Sequence, residues 1–258
     1  MHHKTIGFIG GGRVTRIFLE GWTRAQKLPA SITVSDPNAE LLAKLRARFP
    51  SIATVADNVV TAAKDIVFLA VHPAVMGDAA GQCKSSLGAG SIVVSFAPKF
   101  TFVKLTGLLG GFARLARVIP NAPSVVGAGF NPVAFAPALC ASDKARIIGL
   151  LSSLGECPEV PVEKLEAYAV LSAMGPTYLW FQLQTLREVA AGFGLSEAEI
   201  APAMKRMACG ATRTLLESGL PPAEVMDLIP VKPLADMEAQ VTEMYRTRLP
   251  GIYQKIKP

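Results

Sequence analysis

The first half of the chain alternates apolar runs with segments whose apolar residues recur at helical spacing. Thr5–Ile9 is an apolar run ending in glycines, and Arg13–Arg24 then sets Val14, Ile17, Phe18 and Leu19 on one helical face. Residues 32–35 form a second strand, and 39–49 a second helix with Leu41, Leu42 and Leu45 together. Residues 65–71 and 91–96 are continuous apolar runs of strand length, the pattern of a parallel sheet buried on both faces. An Ala-rich helical stretch, roughly 74–85, separates them, and residues 113–119 make a further strand. This β-α-β-α order predicts a doubly wound α/β domain with right-handed crossovers.

The pattern after Val162 is different in kind. Residues 163–193 read as helix, interrupted by Gly175-Pro176, and Gly192-Phe193-Gly194 is a break. Ser196-Glu197-Ala198-Glu199 matches a capping box opening a helix to about Ser218, which Pro202 should bend or delay. Pro221-Pro222 start a short helix, and another runs from about 233 to 248. The expected organisation is an α/β domain over 1–162 and an all-helical domain over 163–258.

Composition sharpens this picture. Of 258 residues, 50% are hydrophobic and 18% charged, with a mean hydropathy of +0.36. Such a chain can bury a sizeable core, which excludes long disorder. The longest charge-free stretch, 118–142, contains Pro120, Pro123, Pro132 and Pro137, so it cannot form the continuous helix of ~20 residues a membrane span requires. The 26 Lys and Arg exceed the 20 Asp and Glu, for a net charge of +6. They are dispersed among acids, which argues against a nucleic-acid partner and leaves a solvated basic surface or attraction for a small polyanion. Cys83, Cys140, Cys157 and Cys209 form no C-x-x-C pair and no zinc-like spacing, so no metal site is expected. They read as free, mostly buried thiols of a reducing compartment. Met1–Lys4 precedes an apolar run too short for a secretory signal, and a cytoplasmic setting is expected.

The most informative local feature is Gly10-Gly11-Gly12-Arg13-Val14-Thr15, between the first strand and first helix. Gly10 and Gly12 fit the first two positions of G-x-G-x-x-G, and Thr15 stands where Gly or Ala is usual. The first glycine permits a tight turn, the second lets backbone approach a pyrophosphate, and the helix N-terminus offers free N–H groups. Asp36 stands 21 residues beyond Thr15, at the end of the second strand. A carboxylate there accepts from ribose hydroxyls and repels a 2′-phosphate, which favours NAD(H) over NADP(H), although Arg13 and Arg16 can offset a phosphate charge. The plainer alternative is a Gly-rich turn without a ligand.

Several segments converge in order and spacing: I-G-F-I-G-G-G at 6–12, L-A-V-H-P at 69–73, I-V-V-S-F at 92–96, R-V-I-P-N-A-P at 117–123 with V-G-A-G at 126–129, S-A-M-G-P-T-Y at 172–178 and L-L-E-S-G at 215–219. Together they resemble the pyrroline-5-carboxylate reductase family, from about Lys4 to Ala239. The resemblance implies a Rossmann dinucleotide-binding domain followed by an all-helical dimerisation domain, as a homodimer or larger homo-oligomer. It implies reduction of a small cyclic imine with NAD(P)H. Gly10, Gly12, Arg13, Val14 and Thr15 match the family's pyrophosphate loop. Val71, His72 and Pro73 match a segment beside the cofactor ribose and nicotinamide, with His72 in place of a lysine. Asn121 matches an asparagine close to the nicotinamide, and Ser172, Gly175 and Pro176 a turn shaping the active-site cleft.

Two loops depart from the family pattern: the one after the fifth strand, which reads Ala97-Pro98-Lys99 where the family has small residues and a glycine, and a second further along the chain. Where the family has S-P-G-G-T-T, this chain reads Val231-Lys232-Pro233-Leu234-Ala235-Asp236. Both glycines, the serine and both threonines are lost, so a carboxylate nest built from backbone amides is not expected. Lys232 can replace it as a point charge, and Asp236 stands where the ring-nitrogen threonine belongs, able to hold an iminium or exchange its proton. Each has a plainer reading: Asp236 as a solvent-facing helix residue, His72 as a loop histidine, Asn121 as a turn residue. Trp180 and Phe181 read as core or dimer-interface hydrophobes. Three activities follow: reduction of 1-pyrroline-5-carboxylate with an unusual substrate loop, action on another imine, amine or carbonyl compound, or dinucleotide binding without catalysis.

Overall fold

The computed structural model describes residues 5–258, so the reading of Met1–Lys4 lies outside the described residues. Its main feature is a seven-stranded sheet in the order β3-β2-β1-β4-β5-β6-β8. The strands are β1 (Thr5–Ile9), β2 (Ser31–Ser35), β3 (Ala53–Val55), β4 (Ile66–Leu69), β5 (Ile92–Ser95), β6 (Leu115–Val118) and β8 (Val133–Phe135). All pair in parallel except β8, which runs antiparallel to β6. A short pair, β7 (Gly129–Phe130) and β9 (Gly155–Glu156), lies apart from the sheet.

The sheet is buried on both faces, as the continuous apolar runs require. Ile6, Phe8, Phe68 and Val94 belong to one apolar cluster; Ile9, Val67, Leu69 and Val93 belong to the other. This is the period of two, applied to strands whose both faces are covered. Phe8 stacks on Phe68 at 4.6 Å between ring centroids, and Phe68 on Phe96 at 5.3 Å. Full burial of each such ring contributes roughly 1.5–3 kcal/mol. The first face is covered by α1 (Arg13–Arg24) and α6 (Ala141–Leu151), where Trp22 Nε1 donates to the Leu150 carbonyl at 3.0 Å.

Helices α2 (Ala39–Arg48), α3 (Asn58–Ala62), α4 (Met76–Cys83) and α5 (Phe102–Leu108) fill the crossovers. The reading along the chain contains neither α3 nor α5, each under two turns, nor the short edge strands β3 and β8. The Pro-rich stretch after Val118 resolves into a 3₁₀ turn at Ala122–Val126, then β7 and β8. Pro132 precedes β8 at the sheet's edge, where a missing N–H is tolerated.

The chain separates into two compact units, one of residues up to Met174 with Ile252–Pro258, the other Gly175–Gly251. The boundary expected at Val162 therefore stands inside the first unit. The physical reason is α7 (Leu165–Tyr168), whose Leu165 packs with Ile119, Ala134 and Ala169 in a third apolar cluster. A π-helical turn, Ala169–Ala173, follows.

The second unit holds α8 (Gly175–Gly192), α9 (Glu197–Glu217), α10 (Pro222–Asp227) and most of α11 (Ala235–Ile256). At the start of α9 the Glu199 carboxylate accepts from Ser196 N at 2.9 Å and from Ser196 Oγ at 2.6 Å. The helix continues through Pro202, and α11 through Pro250. The stop expected near Arg248 is overridden: Ile256, beyond the proline, packs on the third apolar cluster, which offsets the lost hydrogen bond.

Candidate functional site: a glycine loop at the reversal of strand order

Strand order reverses between β1 and β4, and ligands of doubly wound sheets bind outside the carboxyl ends of the strands at such a point. Two segments meet there, the 10–12 loop after β1 and residues 70–72 after β4. Gly10 has φ +102°, and a Cβ on it would come within 2.6 Å of the Ala70 carbonyl oxygen, so glycine is required by the turn itself. Gly12 is different: a Cβ there would meet nothing within 4 Å.

Gly12 is the N-cap of α1, which has no side-chain cap and no acid in its first turn. The amides of Arg13, Val14 and Thr15 thus open the helix without a competing side-chain acceptor, the arrangement that suits an anion. The irregular Thr15 has a local explanation. It is fully buried, and its Oγ1 donates to the Gly10 carbonyl at 2.6 Å, closing the loop onto the helix.

Asp36 is half-buried at the end of β2. Its Oδ2 accepts from Gly11 N at 2.9 Å and its Oδ1 from Asn38 N at 2.9 Å. Asn38 in turn caps α2, accepting from Leu41 N at 3.0 Å. One carboxylate therefore ties the glycine loop to the α2 N-terminus, and each oxygen keeps lone-pair capacity for a further donor. A cleft of about 920 Å³ opens over this loop, lined among others by Gly12, Arg13, Arg16, Leu41, Val71 and His72. A loop that needs glycine, an uncapped helix end and an adjoining cleft of this size fit a dinucleotide's pyrophosphate and ribose.

Along the chain, the α2 side of this cleft leaves little trace. Asn38, Lys44 and Phe49 line it, with Arg48, which holds Glu20 through two bonds of 3.0 and 3.2 Å. Lys44 is paired with Glu40. Arg13 and Arg16 form no ion pair among the described residues. His72 is exposed, and its Nδ1 accepts from Ala74 N at 3.3 Å. Pro73 opens the 3₁₀ turn that follows.

Asn121 is placed by both ends of its amide. Oδ1 accepts from Phe130 N at 3.1 Å, and Nδ2 donates to the Ser172 carbonyl at 3.2 Å. The side chain is buried, and it holds the turn after β6 against the π-helical turn. Lys232 and Asp236 lie in the second unit, both exposed and without an ion-pair partner among the described residues. Asp236 sits in the first turn of α11. Lys232 lines a shallow hollow with Leu220, Glu224 and Asp227.

Burial pushes the Cys83 and Cys157 thiols up to about 12, so both are protonated and poor nucleophiles at neutral pH. Cys140 and Cys209 are exposed, which corrects the expectation of mostly buried thiols; all four cysteines are free. Among the described residues no three His, Cys, Asp or Glu gather as a metal site, and no helix is long and apolar enough to cross a membrane.

Comparison with known proteins adds to this geometry. A family model described as NADP oxidoreductase coenzyme F420-dependent matches residues 5–99, the glycine loop included. The pyrroline-5-carboxylate reductase of Escherichia coli (strain K12) is 28% identical over 227 residues, 88% of this chain and 84% of that protein. That of Corynebacterium melassecola is 27% identical over 255 residues, covering 97% of this chain and 94% of the relative. Among solved structures, Plasmodium falciparum pyrroline carboxylate reductase with NADP bound superposes with a TM-score of 0.83 at 20% identity, covering 100% of this chain and 98% of that one. The Coxiella burnetii pyrroline-5-carboxylate reductase gives 0.70 at 24% identity, covering 99% and 95%. Over most of its length the chain is similar in sequence to pyrroline-5-carboxylate reductases, and it shares their α/β-plus-helical fold.

Proposed function

We propose that the chain is an NAD(P)H-dependent oxidoreductase acting on a C=N bond, reducing 1-pyrroline-5-carboxylate to proline or a closely related imine. The observation that carries this reading is the glycine loop with its uncapped helix and Asp36, set in a chain similar to reductases of that name over nearly its whole length. The bound dinucleotide would supply hydride to the imine carbon. The chain's own task is position, charge and a proton for the nitrogen.

In this reading Gly10, Gly12 and the amides of Arg13, Val14 and Thr15 hold the pyrophosphate, and Asp36 the ribose. Val71, His72 and Pro73 border the nicotinamide half, and Asn121 fixes the turn beside it. NADH is preferred to NADPH, because the Asp36 carboxylate repels a 2′-phosphate. Asp236 serves the substrate nitrogen and Lys232 its anionic group. The substrate is a small molecule, and the setting is cytoplasmic. Self-association through the helical unit completes the proposal, supported by Trp180, Phe181 and Phe193, which the chain alone leaves 52%, 67% and 81% exposed.

A second reading, action on a different imine, amine or carbonyl compound, is favoured by the segment Val231-Lys232-Pro233-Leu234-Ala235-Asp236. It contains no glycine, and Pro233 offers no N–H, which works against an amide cradle for a carboxylate. Fluorescence titration with NADH and NADPH, followed by addition of pyrroline-5-carboxylate and then of a small imine and ketone panel, tests both. The expected result is binding of reduced dinucleotide, tighter for NADH, with consumption on adding pyrroline-5-carboxylate. Consumption with another panel member alone selects the second reading. Absence of binding to either dinucleotide sinks both. Asp36→Ser should erase the preference for NADH.

A further inference from the structure

Among the described residues, the ion pair between Arg117 and Glu166 alone is buried at both partners, each side chain only 2% exposed. Arg117 interrupts the apolar strand β6, and Glu166 lies on α7. Stability does not explain the pair. Arg117 Nε is also buried and has no hydrogen-bond partner, and a buried pair whose guanidinium is incompletely satisfied is a poor stabiliser compared with apolar side chains.

What the pair joins is more telling. Glu166 Oε1 also accepts from Lys99 N at 3.3 Å. Lys99 lies in the loop after β5 with φ +69°, a left-handed conformation that non-glycine residues adopt only when their surroundings hold them there. One carboxylate thus gathers β6, the loop after β5 and α7. A second tie lies close by in the chain, where Asn121, just after β6, donates to the Ser172 carbonyl in the π-helical turn that continues α7. Both ties run from the carboxyl ends of adjacent parallel strands to the segment 165–173. In a doubly wound sheet these strand ends face the ligand.

We infer that Arg117 and Glu166 are positioning residues for the hydride transfer. Acting through the Lys99 backbone and the Asn121 turn, their pair fixes the loops after β5 and β6, against which the reacting half of the cofactor must be aligned. The inference rests on the reductase reading above. It predicts a separation of effects: cofactor affinity, set mainly at the glycine loop, survives loss of the pair, while the chemical step does not.

The test is the double variant Arg117→Met/Glu166→Leu, which replaces the pair by apolar side chains of similar size and so leaves no unpaired buried charge. Melting temperature, NADH affinity, kcat, KM and the primary deuterium isotope effect are measured on it. So is the rate of tryptic cleavage after Lys99, an exposed side chain on a backbone that the pair holds. The expected result is a folded protein whose NADH Kd stays within about threefold of the unsubstituted value. Its kcat should fall roughly 10- to 100-fold with an increased isotope effect, and cleavage at Lys99 should accelerate about tenfold or more. Unchanged kcat in the folded variant overturns the inference. Glu166→Asp keeps the charge but shortens its reach by one methylene, and it must show the same split if the double variant fails to fold. If the unsubstituted protein reduces no imine or carbonyl compound, the reductase reading fails on its own, and the cleavage rate still decides the tether: equal rates overturn it.

Discussion

The two units use the same apolar composition in opposite ways. Up to Met174, the central strands are closed on both faces, and even a charged pair is sealed inside. Between Gly175 and Gly251, Ile200 alone is buried among the described residues, while Trp180, Phe181, Phe193, Leu216 and Leu234 face outward. Apolar exposure of this kind is what the self-association proposed above would cover. High hydropathy here therefore has two sources, a completed α/β core and an apolar helical surface left exposed in the single chain. The first kind of residue is tested by stability and the second by association.

The largest expected effect lies on the helical side. Phe181→Asp should weaken self-association by about 2–4 kcal/mol, the range of an interface hot spot and roughly 30- to 1,000-fold in dissociation constant. Sedimentation velocity over a dilution series reads this directly, and NADH binding at the glycine loop should be untouched. If the unsubstituted protein already sediments as a monomer, the contrast between the units needs another explanation.

The next prediction sharpens the contrast inside the first unit, where fold and ligand make separate demands on one loop. Gly10→Ala puts a Cβ against the Ala70 carbonyl at a positive φ, and should destabilise by at least about 1 kcal/mol while abolishing dinucleotide binding. Gly12→Ala meets nothing within 4 Å, so stability should stay within about 0.5 kcal/mol. Its NADH affinity should nevertheless fall roughly tenfold, because the added methyl group stands where a pyrophosphate must approach the backbone. Thermal denaturation and fluorescence titration of both variants separate the two demands. Unchanged affinity in Gly12→Ala would remove the α1 N-terminus as the anion seat.

How much was legible in the sequence follows from range. β1, α1 and β2 announce themselves because buried strands and amphipathic helices leave a local period, and Asp36 is found by counting from the glycines. The bonds that place Asn121 are not local: its Nδ2 reaches Ser172, 51 residues away. Arg117 and Glu166 are 49 residues apart. Arg117 did leave a signal, since a guanidinium in an otherwise apolar strand must find an acid, but nothing in the pattern says which. The edge strands β3 and β8 are three residues each, too short to show a period. Lys232 and Asp236 were singled out by resemblance alone, and both are exposed.

Thr15 gives the smallest and most local test. Its place in the glycine fingerprint normally holds a residue without a bulky Cβ, because helix and strand pack closely there. The structure sets against that crowding a hydrogen bond of 2.6 Å from Thr15 Oγ1 to the Gly10 carbonyl, fully buried. The two contributions can be separated by shape. Thr15→Val keeps the branched Cβ and removes the donor, leaving a buried carbonyl unsatisfied at a cost of about 1–2 kcal/mol. Thr15→Ser keeps the donor and removes one methyl group, so it should lose less, about 1 kcal/mol at most. Denaturant unfolding of the two variants reads the order. If Val is as stable as Thr, the hydroxyl contributes nothing, and the loop is held without it, by the Gly10 N–Ser35 O and Gly11 N–Asp36 bonds among others.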